Sequence, residues 1–378
     1  MVKINRMGLP AYIKISEDIR EKIEKGTLKK GRRLLPEEKL ARKYGVSRPT
    51  LKKALSILVE EGYLYQVPGK GTFVTSPEEG VSSLIRSYRI RKFSRGIGIL
   101  VPCVTHSLYP GIIRGVEDAL RERGYHLILG NFDENTEKER EYMESFLSQG
   151  VAGLIISPSY RSHLNPYYRK LKKDRIPLVF TDIPVKGVEA DLVATDNFYG
   201  AYQGTRFLIS LGIKRIAFLI GHIFTYSSRR RFLGFKEALE EEGIPLRKEL
   251  IRSGEFTQDF GYKSSQEIIK EYQPEAIFSG NEPITLGVLR AVKEAKLKVP
   301  EDVVIMSFDE VNVSYGINLP LIMIRQPRYE IGRVAGELLL ERLKKGGEGG
   351  PPREILLKPT LKVSEEIIRM AGKEVRKR

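Results

Sequence analysis

From Gly96 onward, short apolar runs alternate with amphipathic stretches, and this alternation constrains the fold more than any other feature of the chain. The runs Ile97–Val101, His126–Gly130, Gly153–Ser157, Leu178–Asp182, Arg215–Gly221, Ala276–Ser279 and Val303–Phe308 read as buried strands. Between them, Ile112–Arg123, Glu137–Gln149, Tyr199–Leu211, Arg231–Glu242, Tyr262–Tyr272 and Ile284–Ala295 read as helices. A helix between two strands returns the chain to the same end of the sheet, so the strands run parallel. Parallel sheets need both faces covered, and the amphipathic helices supply the cover. With 378 residues the chain exceeds one ordinary core, which predicts more than one domain.

The first quarter has another texture. Tyr12, Ile15, Ile19 and Ile23 form one apolar helix face, stopped by Gly26. Glu37 to Tyr44 predicts a second short helix with Leu40 and Tyr44 facing in, broken at Gly45. Ser47 is a good N-cap for a third, with Pro49 in its first turn. That helix buries Leu51, Ala54, Leu55 and Leu58 and leaves Arg48, Thr50, Lys52, Lys53 and Ser56 outward. Tyr63–Val67 and Thr72–Val74 flank a Gly-rich turn, which predicts a hairpin. Helix, helix, turn, helix, hairpin is the order of a winged helix-turn-helix.

Charge follows the same division. Residues 1–95 hold 22 Lys+Arg and 10 Asp+Glu; the remaining 283 residues hold 42 and 38. Most of the net +16 therefore sits in the first quarter, which suits a nucleic-acid-binding head. A solvated basic surface or a membrane-surface patch is the alternative. A third helix in the major groove would offer Arg48 to base edges, and Lys70 at the hairpin tip would reach the minor groove. Lys39 and Lys52 are further candidates, with phosphate contact as the other reading of each.

Residues 10–75 resemble the DNA-binding domain of GntR-type regulators. The matching stretches are Gly45-Val46-Ser47-Arg48-Pro49-Thr50-Leu51-Lys52-Lys53-Ala54-Leu55 and Gly69-Lys70-Gly71-Thr72-Phe73-Val74. The resemblance implies DNA contacts from Lys39, Ser47, Arg48, Thr50, Lys52, Lys53, Gly69, Lys70 and Gly71. One departure stands out: aligned without a gap, Glu38 occupies a position where such families carry a DNA-touching arginine.

The expected domains are a head at 8–75, a linker at 76–95 with a basic end, a body at 96–364 and a basic tail at 365–378. No run of about 18 apolar residues is present, and the N-terminus lacks an apolar signal core, so a cytoplasmic chain is expected. The single cysteine, Cys103, excludes an internal disulfide, and the four histidines are not at metal-ligand spacing, so no metal or other cofactor is expected. Phosphate-loop, nucleophile-elbow and dinucleotide motifs are absent, so no enzyme is expected, although a carboxylate acid–base pair stays open.

Ligands of parallel sheets bind beyond the carboxyl ends of the strands. Those ends carry His106 to Tyr109, Asn131 to Asp133, Ser157-Pro158, Asp182, Asn281-Glu282 and Asp309. Acids, amides and an aromatic suit a neutral polyhydroxyl ligand, because they exchange hydrogen bonds with hydroxyls and cover C–H groups.

Residues 96–364 resemble the two-lobed, periplasmic-binding-protein-like effector domain of LacI/GalR-type regulators. Among the matching stretches are Ile113-Arg114-Gly115-Val116-Glu117, Leu211-Gly212-Ile213-Lys214-Arg215-Ile216-Ala217-Phe218, Val299-Pro300-Glu301-Asp302-Val303 and Arg325-Gln326-Pro327. The resemblance places effector contacts on Tyr109, Asp133, Asp182, Arg231, Asn281, Asp309 and Gln326, with Asp196 near the cleft; His106 and Glu282 join them as pocket-loop departures from the family pattern. Asp182 and Asp309 have a second reading, as helix caps or strand-end struts. A GntR-type head on a LacI-type body is similar to the group of arabinose-responsive repressors. That resemblance implies a homodimer on a palindromic DNA operator, released when L-arabinose binds the body. Another pentose or hexose, or an α/β enzyme with a nucleic-acid-binding appendage, are the alternatives.

Overall fold

Ile15 and Ile19 on α1 (Ala11–Glu24) are buried with Leu51, Leu55 and Leu58 on α3 (Arg48–Glu60), and these side chains form the core of the N-terminal unit. The computed structural model describes residues 10–29, 31–60, 63–67, 71–74, 95–311, 319–345 and 350–369, which fall into two compact units. In the first, α2 (Glu37–Tyr44) ends at Gly45, whose φ of 66° is the left-handed conformation that costs glycine least. Ser47 then opens α3: its Oγ accepts from the Thr50 amide at 3.4 Å and meets the Thr50 hydroxyl at 2.8 Å.

Strands β1 (Leu64–Val67) and β2 (Gly71–Val74) pair antiparallel, with the Tyr65 and Phe73 rings stacked across them. The hairpin has an edge that its own sequence does not announce. Arg33 bridges Phe73, and the amides of Gly31 and Leu34 donate to the carbonyls of Val74 and Thr72.

The second unit begins at Arg95 and holds two six-stranded sheets. Its elements, in order, start with β3 (Gly96–Val101), α4 (Leu108–Arg121), β4 (His126–Asn131), α5 (Thr136–Ser148), β5 (Gly153–Ile156), α6 (Tyr167–Lys173), β6 (Leu178–Thr181) and β7 (Asp191–Thr195). They continue with α7 (Asn197–Ser210), β8 (Ile216–Gly221), α8 (Tyr226–Glu241), β9 (Ile251–Gly254), α9 (Gln258–Tyr272), β10 (Ala276–Ser279), α10 (Glu282–Glu294) and β11 (Val304–Phe308). Last come β12 (Ile322–Arg325), α11 (Arg328–Lys344), β13 (Glu354–Leu357) and β14 (Thr360–Val363). One sheet has the order β13-β7-β6-β5-β3-β4 and the other β14-β12-β11-β10-β8-β9. All neighbours are parallel except β14, which runs antiparallel to β12.

Each sheet with its helices is a lobe with its own core. Ile97, Ile99, Ile112, Val116, Ile155, Val179 and Leu339 pack in the first lobe; Phe218, Phe235, Phe278, Met306 and Phe308 pack in the second. The seven expected strands are all present. Five more, β7, β9, β12, β13 and β14, were not expected.

The chain passes between the lobes three times, after β7, after β12 and after β13. Helix α11 returns from the second lobe to pack along α4 of the first. Gly111, Gly115, Gly332 and Gly336 line that contact, which leaves the two backbones too close for a Cβ at Gly115 or Gly332. The three crossings are tied together. Thr195 Oγ1 donates to Gln326 Oε1 at 2.6 Å, and the Asp196 amide donates to the Leu357 carbonyl at 2.8 Å.

Candidate functional site

The carboxyl ends of β6 and β11 face the cleft between the lobes. Each is followed at once by an aspartate with positive φ, Asp182 at 69° and Asp309 at 109°. A non-glycine residue is seldom held there, and such strain is concentrated at functional sites. Between them stands Arg231 of α8, buried to 5% exposure. Its Nε donates to Asn197 Oδ1 at 2.7 Å and its Nη1 to the Gly280 carbonyl, while the guanidinium lies 3.6 Å above the Phe308 ring. A planar cation fixed on three sides presents its remaining edge in one direction.

The electrostatics tie the lobes together. Burial pushes the Asp182 carboxyl up to about 6, against the pull of Arg231 and His106 and with the push of Asp309 and Glu134. Burial, then the negative field of Asp182, raises the Tyr109 hydroxyl well above the usual tyrosine range, so it is a neutral donor. The His106 and Tyr109 rings stand 5.5 Å apart at the start of α4. Gln326 bridges a crossing to a carboxylate: its Nε2 donates to Asp309 Oδ1 at 2.6 Å while its Oε1 accepts from Thr195. His106, Tyr109, Asp182, Arg231, Asp309 and Gln326 therefore share one hydrogen-bonding and electrostatic network.

The other expected contacts are placed differently. Asn281 is buried, but its Oδ1 caps α10 through the Ile284 amide at 3.0 Å, beside the buried Glu282. Asp196 is a cap rather than a pocket acid: its Oδ1 accepts from the Tyr199 amide at 2.9 Å, at the first interlobe crossing. Asp133 is exposed and held by Lys138 and Asn131, so its charge is spent on the surface of the first lobe.

Several neighbours were not foreseen. Tyr160, after β5 in the first lobe, meets three rings of the second: His222 at 5.8 Å, Phe224 at 6.2 Å and Phe256 at 6.5 Å between centroids. Phe224 is 69% exposed, so this clasp forms the solvent lip of the cleft. His222 and Phe224 follow β8 and Phe256 follows β9, so the rule of strand ends reaches them once β9 is recognised. Arg328 stands at a crossing, which no local pattern marks. Among the described residues, no group of three or more His, Cys, Asp or Glu could hold a metal ion, and no helix is long and apolar enough to cross a membrane.

On the head, Arg48, Lys39 and Lys52 are exposed and Thr50 is half-buried. Lys53 is exposed as well, with its ammonium 4.1 Å above the Tyr12 ring of α1. Glu38 pairs with Arg42 at 3.0 Å and stands 3.7 Å from Arg48. Ser47 is occupied as the α3 cap. Gly71 has a φ of 111°, and a Cβ there would fall 2.8 Å from Arg33 Nε, which puts an unforeseen basic residue at the base of the hairpin. Gly69 and Lys70 lie outside the described residues.

Known proteins share both parts. The family described as bacterial regulatory proteins, gntR family, matches residues 11–74, and the periplasmic binding protein-like domain matches residues 205–365. The arabinose metabolism transcriptional repressor of Geobacillus stearothermophilus is 28% identical over 97% of this chain and 99% of its own. Catabolite control protein A of Priestia megaterium is 30% identical over 66% of this chain and 75% of its own. A LacI family transcriptional regulator from Enterococcus faecium, solved with bound ribose, is 29% identical, with a TM-score of 0.61 over 71% of this chain and 96% of its own. By its head, its two-lobed body and these relatives, the chain belongs to the bacterial transcriptional repressors that join a gntR-family DNA-binding domain to a periplasmic-binding-protein-like, sugar-responsive domain.

Proposed function

We propose that the protein is a non-enzymatic repressor that holds a palindromic DNA operator as a homodimer and releases it when L-arabinose enters the cleft. The observation that carries the reading is the Asp182–Arg231–Asp309–Gln326 network, which joins donors and acceptors from both lobes at the crossings between them. A small polyhydroxyl molecule there bonds to both lobes at once. Its binding free energy then favours one lobe arrangement over the other, and only that difference shifts the population. Two heads on one dimer need their half-sites at a fixed spacing, so a change in lobe arrangement lowers operator affinity without touching the heads.

L-Arabinose is the proposed effector because relatives over nearly the full chain are named as arabinose metabolism repressors. The alternative sugar is ribose, favoured by the ribose-bound neighbour. DNA contact is assigned to Arg48, Thr50, Lys39 and Lys52, to Gly71 with Arg33 beside it, and from the sequence to Gly69 and Lys70. The test is operator release in a gel shift with L-arabinose, D-ribose, D-xylose and a sugar phosphate. L-Arabinose should release the operator from the wild type and not from Arg231→Ala, which keeps the whole head. Release by the sugar phosphate with L-arabinose inert at millimolar concentration overturns the assignment.

A further inference from the structure

Arg328 opens α11 at the second interlobe crossing, two residues after Gln326. Its Nε and Nη2 are buried, and neither has a hydrogen-bond partner in the protein. Nη2 stands 4.0 Å from Asp309 Oδ1, an ion-pair approach beyond hydrogen-bond length, and that oxygen already accepts from Gln326. A second buried orphan stands at the start of the helix that packs along α11. Ser107 precedes α4, its Oγ is buried without a partner, and Gly111, one turn later, packs against the Arg328 side chain. Buried polar groups are nearly always satisfied, and an exception in a native site calls for an explanation.

Nε–H and the adjacent Nη2–H form one straight edge of the guanidinium, the edge that takes two neighbouring oxygens at once. Arginine donates only, so whatever meets this edge presents acceptor lone pairs. The edge belongs to the first lobe through α11 and faces Asp309 of the second. Beside Arg231 and Arg328 stand Asp182, Asp309 and Glu134, so no surplus of positive charge remains for an anionic ligand to neutralise. We propose that Arg328 is a specificity-determining residue, whose Nε–Nη2 edge, with the Ser107 hydroxyl, receives two adjacent hydroxyl oxygens of the neutral sugar. This inference rests on the sugar reading above and names the part of the sugar that is read.

The test is calorimetry on the full chain with L-arabinose, its monodeoxy analogues and L-arabinonate, for the wild type and Arg328→Lys. Lysine keeps the charge beside Asp309 and loses the paired edge. L-Arabinose should bind Arg328→Lys about 10- to 100-fold more weakly than wild type. The deoxy analogue that lacks an oxygen at this edge should lose affinity for the wild type and lose little more for the variant, a coupling that a purely structural arginine does not produce. Ser107→Ala repeats the coupling with a change of one oxygen if the lysine protein does not fold. Equal L-arabinose affinity in wild type and Arg328→Lys, or additive losses for every deoxy analogue, overturns the inference alone. Tighter binding of L-arabinonate than of L-arabinose overturns the diol in favour of a carboxylate. A wild type that binds none of the sugars overturns the sugar reading, and this inference with it.

Discussion

Asp182→Asn should stabilise the protein at neutral pH while removing its sugar response. The Asp182 carboxyl sits at about 6 against an ordinary 3.8, with burial as the main cause. A raised acid binds more protons folded than unfolded between those values. Stability is therefore highest below about 4, falls as pH rises through 6, and carries the full penalty above it. The gap is about two pH units at about 1.4 kcal/mol each, an upper figure near 3 kcal/mol. Partial solvent access to Asp182 reduces it to about 1–3 kcal/mol. Asparagine has the shape of the protonated acid and no titration, so its advantage should appear at pH 8 and vanish near pH 4. Urea denaturation of both proteins from pH 4 to 8 measures this. A sugar hydroxyl donating to the carboxylate lowers its proton affinity in the complex. L-Arabinose affinity in the wild type should then be flat above pH 7 and fall by up to about tenfold per unit below 6. An asparagine protein less stable than wild type at pH 8, or sugar affinity equal at pH 5 and pH 8, would show that Asp182 is held as a paired anion and that burial does not dominate its chemistry.

Arg48→Ala should cost about 1–3 kcal/mol of specific operator affinity and relax preference at one base position, read by competition binding; Glu38→Arg should steepen the salt dependence by removing the carboxylate beside Arg48. Tyr160→Ala and Phe224→Ala should each speed sugar dissociation, by about 0.5–1.5 kcal/mol in stopped-flow measurements, and their double variant should show coupling because the rings meet across the cleft lip. Asp191→Ala should cost about 3–5 kcal/mol in chemical denaturation, because Arg342 donates two bonds of 2.6 Å to that buried carboxylate and would be left as an uncompensated charge.

What the sequence shows and what it hides follow from the range of the interactions involved. The head was legible because each of its signals is local: Gly45 must be left-handed, Ser47 must cap, and Leu51, Ala54, Leu55 and Leu58 repeat on one helix face. The inner strands were legible because β3, β5, β8, β10 and β11 are buried on both faces and read as unbroken apolar runs. Of the edge strands, β4 shows the apolar run Leu127-Ile128-Leu129, whereas β9, β13 and β14 are half-exposed four-residue segments, each with a charged residue, that do not stand out from loop. Strand β7 begins on Asp191, a charge that no single-sequence rule puts in a core, and it is tolerated only because Arg342, 151 residues later, neutralises it. The same limit governs the cleft. Asp182 and Asp309 stand at strand ends and could be chosen by position, whereas Arg231, inside α8, was reached only through the family resemblance. The difference between Asp133, exposed and paired with Lys138, and Arg328, whose Nε and Nη2 are buried without a hydrogen-bond partner, is decided by where the second crossing brings α11 back to the first lobe. Charge arithmetic along the chain records only their signs; the fold puts one in solvent and the other beside Asp309 at a crossing.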